Sequence, residues 1–392
     1  MATVPNWLNA RPGNSKIGAG DEEIPTEGGI GRLTVKSRIN KRHSYSQATN
    51  ACFALLGAAV LAWSPVAIGA EDSPKVFTLS TSTSFGMLYG QANEYVYNQD
   101  VSADYKDSEL DWPFEPLFYV GAGLALDSKL GIFATLDLRQ GLSGKTGTMT
   151  DSDYLNGDGV KTNLSESDCY TERALLLDLK LGYNLPYFSD PFKLGAYLGF
   201  SYMDLKWSAR DGYYQYPSYG SGYQDYGPGN ISLGNYEPWS AGETKTPLYG
   251  TGILYEQAYL LALFGVQASY KLGDAFTLGA ACSIAPIAYC YTEDNHELRT
   301  IDFYSKLSSG LMLEPSVSLK YALKPGAALR LDVAYRQVTS LKGDITQVNQ
   351  GTTSTSSLGN YYAGPDSANT GNGDSGAFIS MLDASLGFAL AF

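Results

Sequence analysis

The residues best equipped for chemistry sit at the end of one apolar stretch. Phe276, Leu278, Ala280, Cys282 and Ile284 alternate with smaller or polar residues, and the run closes on Thr292-Glu293-Asp294-Asn295-His296. The chain has 2 histidines, and the other, His43, lies in a segment expected to be removed. Imidazole chemistry in the mature protein therefore has to use His296. Asp294 precedes it by two positions, so in an extended chain both side chains point the same way. A carboxylate beside an imidazole orients the ring and stabilises its protonated form, which is what a general base requires. Taken alone, the same run also reads as a solvated loop histidine flanked by acids.

Composition limits what such a pair can serve. The chain carries 27 Lys+Arg against 40 Asp+Glu, a formal charge of −13, and without residues 1–70 the charge is −16. A chain this acidic is a poor partner for nucleic acid and a good one for cationic peptides or other cationic ligands. It holds 30 Tyr and 43 Gly, a leaning towards strands and aromatic girdles. Residues 1–35 are rich in Gly, Pro and polar types without an apolar period, and are expected to be disordered. Residues 36–70 have the layout of a secretory signal: the basic residues Lys36, Arg38, Lys41 and Arg42, an apolar run from Ala51 to Trp63, then small residues offering a cut after Gly69 or Ala70. The mature domain is expected over 71–392. Its cysteines are Cys169, Cys282 and Cys290. Cys282 and Cys290 lie roughly 26 Å apart when extended, too far to bridge; a Cys169–Cys290 bond is conceivable. The set lacks the spacing of a metal site, and none is expected.

From Val76 onward the pattern has period two. Ten runs alternate apolar with polar or small residues, among them Phe77–Met87, Trp112–Leu126, Leu130–Leu138, Leu175–Leu181 and Phe192–Phe200. The others are Leu260–Tyr270, the Phe276 run, Leu311–Leu323, Leu329–Tyr335 and Leu382–Phe392. One face of each run is apolar. The other carries charges such as Asp178, Lys180, Arg330, Asp332 and Arg336, which a soluble sandwich has no place to bury. An all-β, ten-stranded antiparallel transmembrane β-barrel with a polar interior accommodates both faces. Phe392 closes an alternating apolar strand, the ending that outer-membrane barrels carry.

Connections alternate between short turns (around Asp127, Pro191, Gly273 and Pro325) and long polar stretches (98–111, 150–170, 211–248, 294–300 and 340–376). Short turns belong at the periplasmic end and long loops outside. Asp151 and Asp153 then follow the third strand, Asp294 and His296 end the seventh, and Glu94 tops the first, all at the extracellular rim. Parity counted from Phe276 would put Asp294 and His296 on the lipid side. We therefore predict a bulge near Pro286 that returns them to the interior.

At this point the sequence resembles the omptins, outer-membrane proteases of Gram-negative bacteria. The resemblance covers about 76–392. It is carried by Ser84-Phe85-Gly86 through Glu94-Tyr95-Val96-Tyr97, Ser108-Glu109-Leu110-Asp111-Trp112, the aspartates around Ser152, Ser208-Ala209-Arg210-Asp211-Gly212, Asp294-Asn295-His296 and the last strand. It implies a ten-stranded barrel in the outer membrane with its active site facing the exterior. Catalysis would use the pair Asp151 and Asp153 facing Asp294 and His296, with a water activated between them and no metal or covalent intermediate. It further implies Glu94 as a receptor for a basic substrate side chain and Met149 as part of the groove floor. Two departures matter. Thr292 stands where a second pocket acid would fall, and the neighbouring Glu293 points the other way in a regular strand. Asp204 stands where a lipopolysaccharide-binding arginine would fall, with Lys206 two further on, so a dependence on that lipid does not transfer directly. The competing readings are a non-enzymatic barrel whose acidic rim binds cationic ligands as an adhesin or receptor, and a pore. A two-carboxylate glycosidase would leave His296 without a role.

Overall fold

The computed structural model describes residues 76–98, 101–188, 190–216, 236–298, 301–349 and 368–392. The extension expected over 1–35 and the signal over 36–70 lie outside the described residues. Twelve strands follow in order, all antiparallel: β1 (Phe77–Tyr97), β2 (Lys106–Ser128), β3 (Ile132–Gly141), β4 (Gly144–Asp153), β5 (Asn163–Asn184), β6 (Phe192–Gln215), β7 (Thr246–Leu272), β8 (Phe276–His296), β9 (Ile301–Ser308), β10 (Met312–Lys324), β11 (Ala327–Asn349) and β12 (Ala368–Ala391). β1 pairs with both β2 and β12, so the sheet closes on itself and leaves no edge.

Twelve strands rather than ten arise because two of the expected runs are each cut in two. β3 and β4 occupy one place in the ring, both between β2 and β5, separated only at Leu142-Ser143. β9 and β10 likewise share the place between β8 and β11. Their break at Ser309–Leu311 is marked by a left-handed backbone at Ser309, φ 71°. The ring thus has the expected ten places, with two of them kinked.

An apolar belt surrounds it. Phe85, Val120, Leu136, Leu179, Leu198, Val266, Leu278, Val317, Leu331 and Leu386 supply one exposed side chain from each place in the ring. Exposed apolar side chains at every place in the ring are explained by lipid as the outer solvent, and a closed sheet is one of two structures that satisfy its backbone there. The strands run well beyond the belt. β7 has 27 residues, whereas about 9–11 cross a bilayer. The stretches expected as long loops are accordingly part strand: β4 extends through Asp153 and β8 through His296.

Bulges reset the two-sided pattern where the strands leave the belt. On β8, Ala262 and Phe264 of β7 face Ile287 and Ile284, so β8 carries one extra residue at Ala285-Pro286. Before it, Leu278 and Ile284 are exposed; after it, Ile287, Tyr289 and Tyr291 are exposed while Thr292 and Asp294 are buried. The predicted bulge is present, at the proline that has no N–H to give the ladder. A second bulge corrects the sequence reading of β2. Leu88 and Gly90 face Leu117 and Phe114, which places an extra residue at Glu115-Pro116. Trp112 and Phe114 therefore do not share the outward face of Phe118 and Val120; both are fully buried.

The interior is filled in two tiers. Through the belt, Arg336 donates to Glu314, to Ser201 Oγ at 3.1 Å and to Asp178 at 3.0 Å, while Arg139 bridges Asp178 and Asp383. Tyr119 adds a 2.6 Å bond to Asp383. Above this network Trp112 stacks on Tyr255 at 5.2 Å, and Trp207 packs against Trp112, Phe114 and Tyr255. Cys169, Cys282 and Cys290 are all free thiols. Since Arg336 is buried among three strands' partners, Arg336→Leu leaves the Asp178 and Glu314 carboxylates uncompensated. The variant is expected to lose about 3–5 kcal/mol, read as a lower urea midpoint for unfolding in detergent micelles; an unchanged midpoint would refute the network's role.

Candidate functional site

The register of the upper strands gathers the acids. Glu94 on β1 lies opposite Leu110 on β2, and Leu110 lies opposite Asp151 on β4. Glu94, Leu110 and Asp151 thus form one cross-strand row on the inner face. On the next row Ser108 faces Asp153. Both aspartates sit within β4, two positions apart, so both point inward. Across the lumen Asp294 lies between Tyr255 of β7 and Phe303 of β9, and His296 between Ile253 and Ile301.

Each pair has its own anchoring. His296 Nε2 is 2.7 Å from Asp294 Oδ2, and the ring meets Phe303 edge-on at a centroid distance of 5.4 Å. Ser108 donates to Asp151 Oδ1 at 3.2 Å and Ser165 to Asp151 Oδ2 at 3.4 Å. Asn163 donates its amide to Asp153 Oδ2 at 3.1 Å. Ser165 and Asn163 come from β5, where they stand opposite Asp151 and Asp153. The sequence drew attention to Ser108 only as part of a motif run, and to Ser165, Asn163 and Phe303 not at all. Their roles depend on register between strands, which leaves no local trace.

Glu94 joins the two sides. Its side chain is buried above the membrane belt, which on β1 ends at Tyr89. Burial, then the charges of Asp294 and Asp151, hold its carboxyl well above the usual range. Asp294 of β8 and Asp151 of β4 both contribute to that shift. Met149 is buried on β4 two residues below Asp151, in the apolar cluster with Trp112, Trp207 and Tyr255. Thr292 is buried on the inner face. Glu293, as expected, turns outward, opposite Glu256. Below the site Gln257 reaches across the lumen, donating to Asn93 O at 2.9 Å and to Tyr255 at 3.0 Å, and accepting from Tyr259. The structure thus brings Glu94, Met149, Asp151, Asp153, Asp294 and His296 to one end of the closed sheet.

Comparison with known proteins supplies the class. The family model described as Omptin family matches residues 75–371. This chain belongs to the omptin family: it is a β-barrel protease of the outer membrane. Protease 7 of Escherichia coli K12 is 25% identical over 304 residues, covering 74% of this chain and 88% of that protein. The outer membrane protease OmpP of the same strain is 23% identical over 322 residues, covering 81% and 95%. The crystal structure of the outer membrane protease OmpT from Escherichia coli superposes with a TM-score of 0.67 at 19% identity, covering 82% of this chain and 99% of that one.

The raised carboxyl of Glu94 sets a sign for stability. The folded protein holds that proton more tightly than the unfolded chain, so ionising Glu94 as pH rises costs the folded state stability. Glu94→Gln removes this cost. Between about pH 5 and about pH 9 its thermal midpoint is expected to gain on that of the wild type, with the variant ahead at the alkaline end; a gap that stays constant or narrows would contradict the assignment.

Proposed function

We propose that the chain is an endopeptidase that hydrolyses peptide bonds next to basic residues, using a water held between Asp151 and Asp153 on one side and Asp294 and His296 on the other. The observation that carries this reading is the placement of both pairs at the same end of the closed sheet, Asp151 and Asp153 on β4 and Asp294 and His296 on β8, with Asp294 in contact with His296.

Each residue then has a task set by its chemistry. His296 takes a proton from the water as it attacks the peptide carbonyl carbon, and Asp294 orients and charge-stabilises the ring. Asp151 and Asp153 position the water through their carboxyl oxygens. Ser108, Ser165 and Asn163 fix those carboxylates so that little reorganisation accompanies the reaction. His296 returns the proton to the leaving amine as the C–N bond breaks, giving a new carboxyl and a new amine. The scheme needs no metal and no covalent intermediate. Glu94 receives a cationic side chain, Met149 forms floor beneath it, and the acidity of the domain favours cationic substrates.

The test is cleavage of a fluorogenic peptide library by the protein extracted from membranes. Cleavage beside Lys or Arg is expected, with His296→Ala slower by about 10²–10⁴-fold and Asp151→Asn also impaired. A folded wild type that cleaves nothing would favour a barrel that binds cationic ligands without turnover. Lipid dependence is separable. On the outward face Arg173 binds Asp204 and Glu256, each at 2.8 Å, and Lys206 binds Glu256 at 3.3 Å. With these cations already neutralised by the protein's own acids, the enzyme freed of lipopolysaccharide is expected to keep most of its activity in detergent; recovery only on adding the lipid would show the opposite.

A further inference from the structure

Gln257 is fully buried, yet it has no task in the proposed reaction. Its side chain leaves β7 and its Nε2 donates to Asn93 O on β1 at 2.9 Å and to Tyr255 Oη at 3.0 Å. Tyr259 Oη donates to its Oε1 at 3.0 Å. A backbone carbonyl can only accept, so the amide nitrogen has to face β1, and Tyr259 holds the amide in that sense. Both N–H donors and the oxygen are therefore used, as a buried amide requires. In the ring of ten places, β1 and β7 lie five places apart in either direction, so the bond to Asn93 spans the diameter. Its two ends stand directly beneath the two halves of the site. At the root, Gln257 lies opposite Thr292, and Tyr255, the next inward residue up β7, lies opposite Asp294. At the tip, Asn93 immediately precedes Glu94, which shares a cross-strand row with Leu110 and Asp151.

We infer that Gln257 is a positioning residue for peptide hydrolysis, a strut across the lumen whose length and donor set the distance between the wall bearing Asp294 and His296 and the wall bearing Asp151 and Asp153. The inference rests on the peptidase reading above and deepens it. A ring of strands can become oval without breaking a ladder bond, and a tie across its diameter is what opposes that change. The water of the proposed reaction touches both walls, so its geometry follows the width of the ring at this height. A displacement of about 1 Å in such a geometry costs on the order of 10²-fold in rate. The apolar tier of Trp112, Trp207 and Tyr255 fills the lumen here but has no directional bond to β1. Gln257 supplies that bond, and the Tyr259 hydroxyl keeps the amide from turning its oxygen towards Asn93 O.

The test is steady-state cleavage of one fluorogenic peptide containing arginine by the protein extracted from membranes, with folding verified by resistance to SDS at room temperature. Gln257→Met keeps the length and loses the donors; Gln257→Asn keeps the donors and is one methylene short. Each is expected to lower kcat by about ten- to a hundredfold while KM stays within about threefold, because the strut touches no substrate. Tyr259→Phe, which leaves the bond to Asn93 in place, is expected to lower kcat by less. In the Gln257→Met background it should add nothing, since both changes act through one amide. A folded Gln257→Met with wild-type kcat would overturn the strut, even if its urea midpoint falls. So would full activity in Gln257→Asn, whose amide is too short to span, or a loss confined to KM. Where the Gln257 variants do not fold, Tyr259→Phe decides, and a wild-type kcat there counts against the strut. Folded wild-type protein that cleaves nothing would instead overturn the peptidase reading itself, whereas failure of the strut alone leaves wild-type cleavage intact.

Discussion

A closed sheet in lipid allows each strand only one choice, which residues face in. Backbone groups have no water to fall back on there, so ring closure is obligatory and the side chains are divided strictly between lipid and lumen. Ile284 and His296 are twelve positions apart, an even separation, and in an unbroken strand both would face lipid. The extra residue at Ala285-Pro286 breaks that identity. The inward placement of Asp294 and His296 therefore depends on a single backbone insertion at the height where the strand leaves the apolar belt. The β2 bulge at Glu115-Pro116 does the same for Trp112 and Leu110, and so determines what lies under Glu94 and beside Asp151.

The filled lumen follows from the same division. Inward charges cannot be left alone in so narrow a space, and Arg139, Asp178, Arg336, Glu314 and Asp383 satisfy one another. The aromatic tier of Trp112, Trp207 and Tyr255 sits on this network and carries the acidic site. Mechanically, Asp151, Asp153, Asp294 and His296 stand on packed strands rather than on loops, the rigid support that the proposed mechanism requires.

Much of this was legible in the sequence because the lipid-facing pattern is repetitive and strong. The alternation of Leu175 to Leu181 or Leu382 to Phe392 needs no knowledge of partners. The Asp294–His296 pair and the need for a bulge at Pro286 could be read from spacing and parity alone. What escaped depends on relations between strands. Trp112 and Phe114 keep the parity of Phe118, so nothing local marks the residue inserted at Glu115-Pro116. The outer ends of β4, β5 and β8 are polar on both faces, as water surrounds them above the belt, and they read as loops. Ser108, Ser165 and Asn163 acquire meaning only once β2, β4 and β5 are in register. The breaks at Leu142-Ser143 and Ser309–Leu311 are likewise invisible as apolar periodicity, and they turn ten runs into twelve strands.

The ionic tier also braces the wall. Its hydrogen bonds tie together residues from β2, β3, β5, β6, β10, β11 and β12, seven of the ten places in the ring. A load on any one of those strands is shared across the lumen by the others, as spokes share the load on a rim.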